Sequence, residues 1–282
     1  MIIDGNKISN NVLDDIKNEL IMHNYKPRLE VILLGDNHAS ILYVKKKKEA
    51  CEKIGIIVNI NKLSIDSSEE YIIDLIKTMN LNNLINGIIV QLPLPKNLNE
   101  EKILNNIDYF KDVDGFHVKN IGELALNNRE PTFIPCTVLS CLKIFENINL
   151  DLVGKNIVII GNSNIVGIPL SLILLKKKAT VTVCHINTLN LQEHTKYADI
   201  LISACGQPEI IKKEYVKKDS IIIDIGINYT NNFKKKLVGD VDFIDVKDKV
   251  KYITPVPGGV GPITVSMLLL NTLKAFKLQN LK

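Results

Sequence analysis

The chain has 282 residues, 46% of them apolar, and its 35 basic and 31 acidic side chains leave a net charge of +4. That length favours two domains over one; the near-balanced charge, with no basic stripe interleaved with aromatics, argues against nucleic acid, and the longest apolar runs, such as Ile85 to Leu92, are strand-sized rather than membrane-spanning. The five cysteines, Cys51, Cys136, Cys141, Cys184 and Cys205, form no CxxC pair and leave an odd one, so reduced buried thiols fit better than disulfides, and no metal site is expected.

Met1 to Asn6 has neither the basic nor the apolar region of a signal peptide, which reads as cytoplasmic. Strand-like runs then alternate with helical patterns, the signature of an α/β fold with parallel sheets covered by helices. The first half predicts a helix over Asn10 to His23, a strand over Leu29 to Leu34, a helix over Ala39 to Ile54, a strand over Ile56 to Ile60, a helix over Ser67 to Met79 and a strand over Asn86 to Leu92. Within the second helix Tyr43 and Lys47 lie four residues apart on one face. Lys46, at i+3, is nearly as close to Tyr43, and Lys45 to Lys48 taken alone is a solvated charge run. Gln91, in Val90-Gln91-Leu92-Pro93-Leu94-Pro95, stands where a buried strand meets a stiff proline turn, at the carboxyl end where open α/β sheets bind ligands. A strand-end amide satisfied by backbone is the competing reading. Lys111-Asp112-Val113-Asp114-Gly115-Phe116 places two carboxylates at i and i+2, either as turn formers or as partners of a heterocycle.

A domain boundary is expected between residues 138 and 150, inside or beside a helix. The second series begins at Gly154, with strand Asn156 to Ile160, helix Ile165 to Lys177 and strands Thr180 to Cys184, Ile200 to Ala204 and Ser220 to Ile225. Its first strand runs into Gly161-Asn162-Ser163-Asn164-Ile165-Val166-Gly167-Ile168-Pro169, a glycine turn leading to a helix N-terminus that can hold a pyrophosphate. Ser163 replaces the second glycine of the dinucleotide fingerprint and the outer glycines stand six apart, so a plain helix-starting turn also fits. After the next strand, Cys184-His185-Ile186-Asn187 offers neither the acidic residue that favours NAD nor the arginine that favours NADP. Pro255 to Thr264 holds three prolines and three glycines in ten residues, a shaped loop both stiff and open to backbone approach rather than a helix or central strand. A turn cluster between two elements is its plain alternative. The apolar stretch Ile263 to Phe276 reads as a closing helix.

Seven segments in order resemble the bifunctional methylenetetrahydrofolate dehydrogenase/cyclohydrolase family over nearly the whole chain: Ser40 to Lys47, Val90 to Pro95, Lys111 to Phe116, Pro135-Cys136-Thr137, Gly161 to Pro169, Gly239-Asp240-Val241 and Pro255 to Thr264. The resemblance implies an N-terminal α/β catalytic domain, residues 1–140 completed by a C-terminal helix over 263–282, and a Rossmann-type, doubly wound dinucleotide-binding domain over 141–262, with a cleft between them. It implies oxidation of 5,10-methylenetetrahydrofolate with NADP, or with NAD, and hydrolysis of the methenyl product to 10-formyltetrahydrofolate. A monofunctional dehydrogenase with weak cyclohydrolase activity, or a non-catalytic folate- or nucleotide-binding protein, are the alternatives.

Carried over residue by residue, the resemblance makes Lys47 catalytic, lets Gln91 hold it and gives Asp114 the pterin amide edge. Tyr43 packs on the folate ring, with Pro257, Gly258, Gly259, Val260 and Gly261 beside the folate; Gly161, Asn162, Ser163, Ile186 and Ile227 take the cofactor. A homodimer is implied, with no nucleic-acid or membrane partner. Two departures stand out. Val138-Leu139-Ser140 follows Pro135-Cys136-Thr137 where the family continues Pro-x-Gly, which puts the entry into the next helix in question, with Thr137 as an N-cap candidate. Asn162 and Ile186 occupy positions where many members carry groups for the 2′-phosphate.

Overall fold

A computed structural model describes residues 1–126, 132–229 and 236–280. The chain divides into two compact units, one of Asn10–Cys136 with Val265–Lys282, the other of Met1–Ser9 with Thr137–Thr264. Its first elements are α1 (Gly5–His23), β1 (Arg28–Leu34), α2 (His38–Ile54), β2 (Ile57–Leu63), α3 (Glu69–Leu81), β3 (Gly87–Val90), α4 (Glu100–Leu104), α5 (Val118–Ala125) and α6 (Cys136–Asn147). They are followed by β4 (Asn156–Ile160), α7 (Gly167–Lys176), β5 (Thr180–Cys184), α8 (Leu191–Thr195), β6 (Ile200–Ser203) and β7 (Ile221–Asp224), then by β8 (Asn228–Tyr229), β9 (Leu237–Val238), α9 (Phe243–Val246), β10 (Tyr252–Ile253) and α10 (Val260–Asn280). The α/β architecture read from the alternation of apolar runs and helical patterns is the one observed.

The first unit is built on a parallel sheet of order β2-β1-β3. Its central strand β1 is a nearly unbroken apolar run because both faces are covered. Ile32, Ile72, Ile76, Ile88, Val90 and Ile103 anchor the core between this sheet and α3. Ser68 caps α3 by accepting the Tyr71 N–H, and Glu69 and Glu70 lie in the first turn, where the helix dipole favours negative charge. The C-terminal part of α10 belongs to the same unit: Asn271 Nδ2 donates to the carbonyls of Val113 (2.8 Å) and Ile134 (3.1 Å), and Gln279 Nε2 to those of Asn86 and Phe110 (2.9 Å each).

The second unit carries a parallel sheet of order β10-β7-β6-β4-β5. The chain passes from β4 outward to β5 and then returns to β6 on the other side of β4. Such a reversal is the topological switch point at which open α/β sheets receive ligands, beyond the carboxyl ends of the strands.

Several element boundaries differ from the sequence expectations for local reasons. Helix α1 starts at Gly5, not Asn10, because Asp4 Oδ1 accepts the Lys7 N–H at 3.0 Å and caps it. Strand β2 continues to Leu63, three residues past Ile60. The Pro255 to Thr264 run is a loop only in its first half, since α10 begins at Val260. Pro262 sits in the first turn of that helix, where a missing N–H costs no intrahelical bond. Helix α6 forms despite Val138 and Ser140, and it starts at Cys136, so Thr137 lies inside the helix and is not its N-cap. Residues 281 and 282, the end of the expected closing helix, lie outside the described residues.

Candidate active site

Asn37 starts α2 by accepting the Ser40 N–H at 3.1 Å, and Gly55, at φ 93°, ends it. With the helix phase fixed, its buried stripe is Val44, Lys47, Cys51 and Ile54, while Lys45, Lys46 and Lys48 are exposed. The 3–4–3 spacing of that stripe is the signal that separates Lys47 from Lys46, and it was present in the sequence. Lys46 Nζ lies 6.0 Å from the Tyr43 ring centroid, on the outer side of the run.

Lys47 is only 9% exposed, and its ammonium donates to Gln91 Oε1 at 3.0 Å. Gln91 follows β3 and continues the ladder by donating its backbone N–H to the Ile32 carbonyl. Its side-chain NH2 is bound to the Leu92 carbonyl at 2.8 Å, which leaves Oε1 as the atom turned to Lys47. The amide is thus tied to backbone through its nitrogen, as the strand-end reading expected, and to the lysine through its oxygen.

The Lys111 to Phe116 loop separates its two carboxylates. Asp112 is buried and accepts the N–H groups of Gly115 (3.1 Å) and His117 (2.7 Å) and the Asn120 side-chain amide (2.9 Å). Burial outweighs these donors and pushes its carboxyl up to about 6. Lys111 ties the loop to the end of α3, where its ammonium meets the carbonyls of Met79, Asn80 and Asn82 at 3.2, 2.7 and 2.8 Å. Asp114, by contrast, is half-buried. Its neighbour is Cys136, whose thiol donates to the Val113 carbonyl at 3.3 Å. Burial first, and then the Asp114 carboxylate, push that thiol well above its usual range, with Lys47 acting in the opposite direction. Lys47, Gln91, Asp114 and Cys136 therefore form one neighbourhood, and Cys136 is a member to which sequence reasoning gave no role.

In the second unit the cofactor residues named from sequence fall at strand ends of one sheet edge: Gly161, Asn162 and Ser163 after β4, Ile186 after β5 and Ile227 after β7. Gly161 adopts φ 119°, and a Cβ there would overlap the Ala204 carbonyl; a Cβ on Gly167 would overlap the carbonyl of Gly161. The turn thus packs backbone on backbone where Gly161 meets Ala204 and Gly167, a cradle suited to a dinucleotide phosphate. Ser163 Oγ accepts the Val166 N–H at 3.2 Å and shapes the approach to α7. Asn162 is exposed and Ile186 is 94% exposed, and neither carries a cation for a 2′-phosphate. Sequence reasoning passed over Ala204 to Gln207, which follow β6 at the switch point itself. Pro257 to Gly261 lie in this unit, where Gly258, at φ 100°, accepts the Gly5 N–H on its carbonyl at 2.9 Å.

An open parallel sheet with a glycine turn at its switch point in one unit, and a buried lysine–amide pair in the other, fit the class of nicotinamide-dependent enzymes built from two α/β domains. Residues 3–114 match the tetrahydrofolate dehydrogenase/cyclohydrolase catalytic domain, and residues 135–280 match the NAD(P)-binding domain of the same family. The bifunctional protein FolD of Rickettsia massiliae is 48% identical over 98% of this chain and 96% of its own length. A crystal structure of the bifunctional FolD dehydrogenase/cyclohydrolase from Campylobacter jejuni has 43% identity and a TM-score of 0.94, covering 99% of both chains. That of the Trypanosoma brucei enzyme complexed with NADP cofactor and inhibitor has 32% identity and a TM-score of 0.96, covering 100% of this chain and 99% of its own. The chain belongs to the tetrahydrofolate dehydrogenase/cyclohydrolase family.

Proposed function

We propose that this chain oxidises 5,10-methylenetetrahydrofolate to the 5,10-methenyl compound with NAD(P) and hydrolyses that product to 10-formyltetrahydrofolate, with Lys47 as the proton-transfer group. The observation that carries this reading is the bond from the buried Lys47 ammonium to Gln91 Oε1 at 3.0 Å, in the neighbourhood of Asp114. Relatives described as bifunctional speak against the monofunctional and non-catalytic alternatives.

For the oxidation, bound NAD(P) supplies the hydride acceptor. The substrate's own nitrogen lone pairs stabilise the cation left at the one-carbon centre, so the chain needs to supply position more than a strong base. Tyr43 offers a ring face to the pterin and Asp114 a carboxylate to its amide edge. Gly161, Asn162, Ser163, Ile186 and Ile227 hold the nucleotide, and Pro257 to Gly261 are read as folate contacts on the family resemblance.

In the hydrolysis, a water oxygen bonds to the methenyl carbon and loses a proton, the bond from that carbon to N5 breaks, and N5 takes up a proton. One further proton leaves to solvent as the cationic substrate becomes a neutral formyl amide. Lys47 is placed to move the proton between oxygen and nitrogen, and Gln91 keeps its Nζ from turning away.

The working form is read as a homodimer on the family resemblance. Five cysteines, none in a disulfide among the described residues and four of them buried, support a reducing compartment and thus the cytoplasm. The direct assay supplies methylenetetrahydrofolate with NADP and NAD in turn and follows reduced cofactor together with 10-formyl product. Both products with NADP are expected; no reduced cofactor with either nucleotide, despite ligand binding, overturns the reading.

A further inference from the structure

The two loops beyond β6 and β7 share one buried organiser. Asp240 is fully buried and receives hydrogen bonds from both. Its Oδ2 accepts the Ser203 hydroxyl (3.0 Å) and the N–H groups of Cys205 (2.8 Å) and Gly206 (3.3 Å), as well as the Cys205 thiol (3.4 Å). Its Oδ1 accepts the Gln207 N–H at 3.1 Å and the Asn228 side-chain amide at 2.9 Å. Asp240 is itself held by Asp224 at the end of β7, whose carboxylate accepts the N–H groups of Gly226 (3.0 Å), Asp240 (3.0 Å) and Val241 (2.9 Å).

The surroundings of this pair leave room for nothing larger. A Cβ on Gly226 would overlap Asp240 Oδ1, and one on Gly239 would overlap the Asp224 carboxylate. Among the described residues, each hydrogen bond to the Asp240 side-chain oxygens is donated to them, with the Asp224 carboxyl as the acidic neighbour. A carboxylate accepts on both oxygens and matches those donors, whereas an asparagine would turn an NH2 toward other donors on one side. Loop Ala204 to Gln207 borders the switch point on the side of β6, and the Gly161 turn borders it on the side of β4, the two being in backbone contact at Ala204 and Gly161.

We propose that Asp240 is a positioning residue for the nicotinamide nucleotide: its carboxylate fixes the backbone of residues 205–207 and holds the Asn228 side chain, so that the rim of the nucleotide crevice is preformed. This rests on the reading that the nucleotide lies along this sheet edge with its phosphates at Gly161 to Ser163. Hydrolysis of methenyltetrahydrofolate requires no nucleotide, so it reports separately on the rest of the protein.

The test uses the full chain with Asp240→Asn. It measures the NADP dissociation constant by calorimetric titration and, in the same preparation, the hydrolysis of methenyltetrahydrofolate without nucleotide. NADP binding is expected to weaken about tenfold, the scale of one lost charge-assisted hydrogen bond, while hydrolysis stays within about twofold. An unchanged dissociation constant overturns the proposal. Ser163→Glu, which sets a negative charge against the phosphates, tells the two levels apart. If it weakens NADP binding while Asp240→Asn does not, only the role of Asp240 falls; if neither variant weakens it, the placement of the nucleotide falls as well. Should Asp240→Asn lose hydrolysis too, Ser203→Ala and Asn228→Ala decide, each removing one donor. Binding weakened about two- to threefold in either supports the proposal, and unchanged binding in both overturns it.

Discussion

The site proposed in the first unit is made of side chains and the one proposed in the second of backbone. Around Lys47 the working atoms sit at the ends of long side chains, and their positions depend on partners: Gln91 for Nζ, Leu92 for the amide, and Asp112 for the loop of Asp114. Along the edge of the second sheet the proposed contacts are with backbone at the Gly161 turn, while Asp224 and Asp240 are buried. A proton-moving site has to hold a specific titratable group at a specific atom. A phosphate-binding site needs oriented dipoles and no obstruction. The same contrast sets what each region can lose.

The sharpest break between the two regions is expected from Lys47→Met, which should lower methenyl hydrolysis by about 10²- to 10⁴-fold, the usual contribution of a positioned proton-transfer group. Lys46→Met, one residue away on the solvated side, should leave the rate within about twofold, because it removes only an exposed cation near Tyr43. Equal losses in the two variants would dissolve the distinction that the buried stripe draws.

Both regions carry a buried carboxyl that favours its protonated form. Burial raises Asp112 from 3.8 to about 6 and Asp224 from 3.8 to about 7. Because the folded values lie above the unfolded ones, the folded chain binds the proton more tightly. The resulting stabilisation is present below about pH 4 and is lost as pH rises through about 6 for Asp112 and about 7 for Asp224. Measured by denaturant titration, the wild type should therefore lose about 2 kcal/mol relative to Asp112→Asn between pH 4 and pH 7. The corresponding loss relative to Asp224→Asn should continue to higher pH. A pH-independent gap in either case would contradict the burial account of that carboxyl.

Gly161→Val brings a branched side chain to a residue at φ 119° and against the Ala204 carbonyl. Strain of that kind costs about 1 to 3 kcal/mol, so NADP should bind about 10- to 100-fold more weakly while nucleotide-free hydrolysis persists. Asp114→Asn should raise the KM for methylenetetrahydrofolate about tenfold and leave the NADP dissociation constant unchanged. A cofactor effect from Asp114, or a hydrolysis effect from Gly161, would show that the two sites are not separable in this way.

What the sequence disclosed follows the same contrast. The sheets were legible because β1, β3, β4, β6 and β7 are short buried runs of Ile, Val and Leu, which have few other ways to pack. The glycine turn at Gly161 was legible because few residues fit its backbone. Residue spacing left Lys46 and Lys47 unresolved until the phase of α2 was fixed by the Asn37 cap and the buried stripe. The roles of Asp112 and Asp114 were likewise open, since two carboxylates at i and i+2 look alike until Gly115, His117 and Asn120 are seen to converge on one of them. Asp240 was legible as part of the Gly239-Asp240-Val241 segment, but its role was not: its donors come from residues 203, 205–207 and 228, up to 37 positions away in sequence. Helix α10 was placed too late because proline and glycine were taken to exclude a helix, a rule that lapses in the first turn.

Lys47 is proposed to move a proton in the hydrolysis and not in the redox step. The most direct measurement supplies methylenetetrahydrofolate and NADP to wild type and to Lys47→Met in parallel, and follows NADPH, methenyltetrahydrofolate and 10-formyltetrahydrofolate in each. In Lys47→Met, NADPH and methenyltetrahydrofolate should accumulate together with no enzymatic formation of 10-formyl product, whereas the wild type passes the intermediate on. Formation of 10-formyltetrahydrofolate by Lys47→Met at the wild-type rate would contradict the central claim.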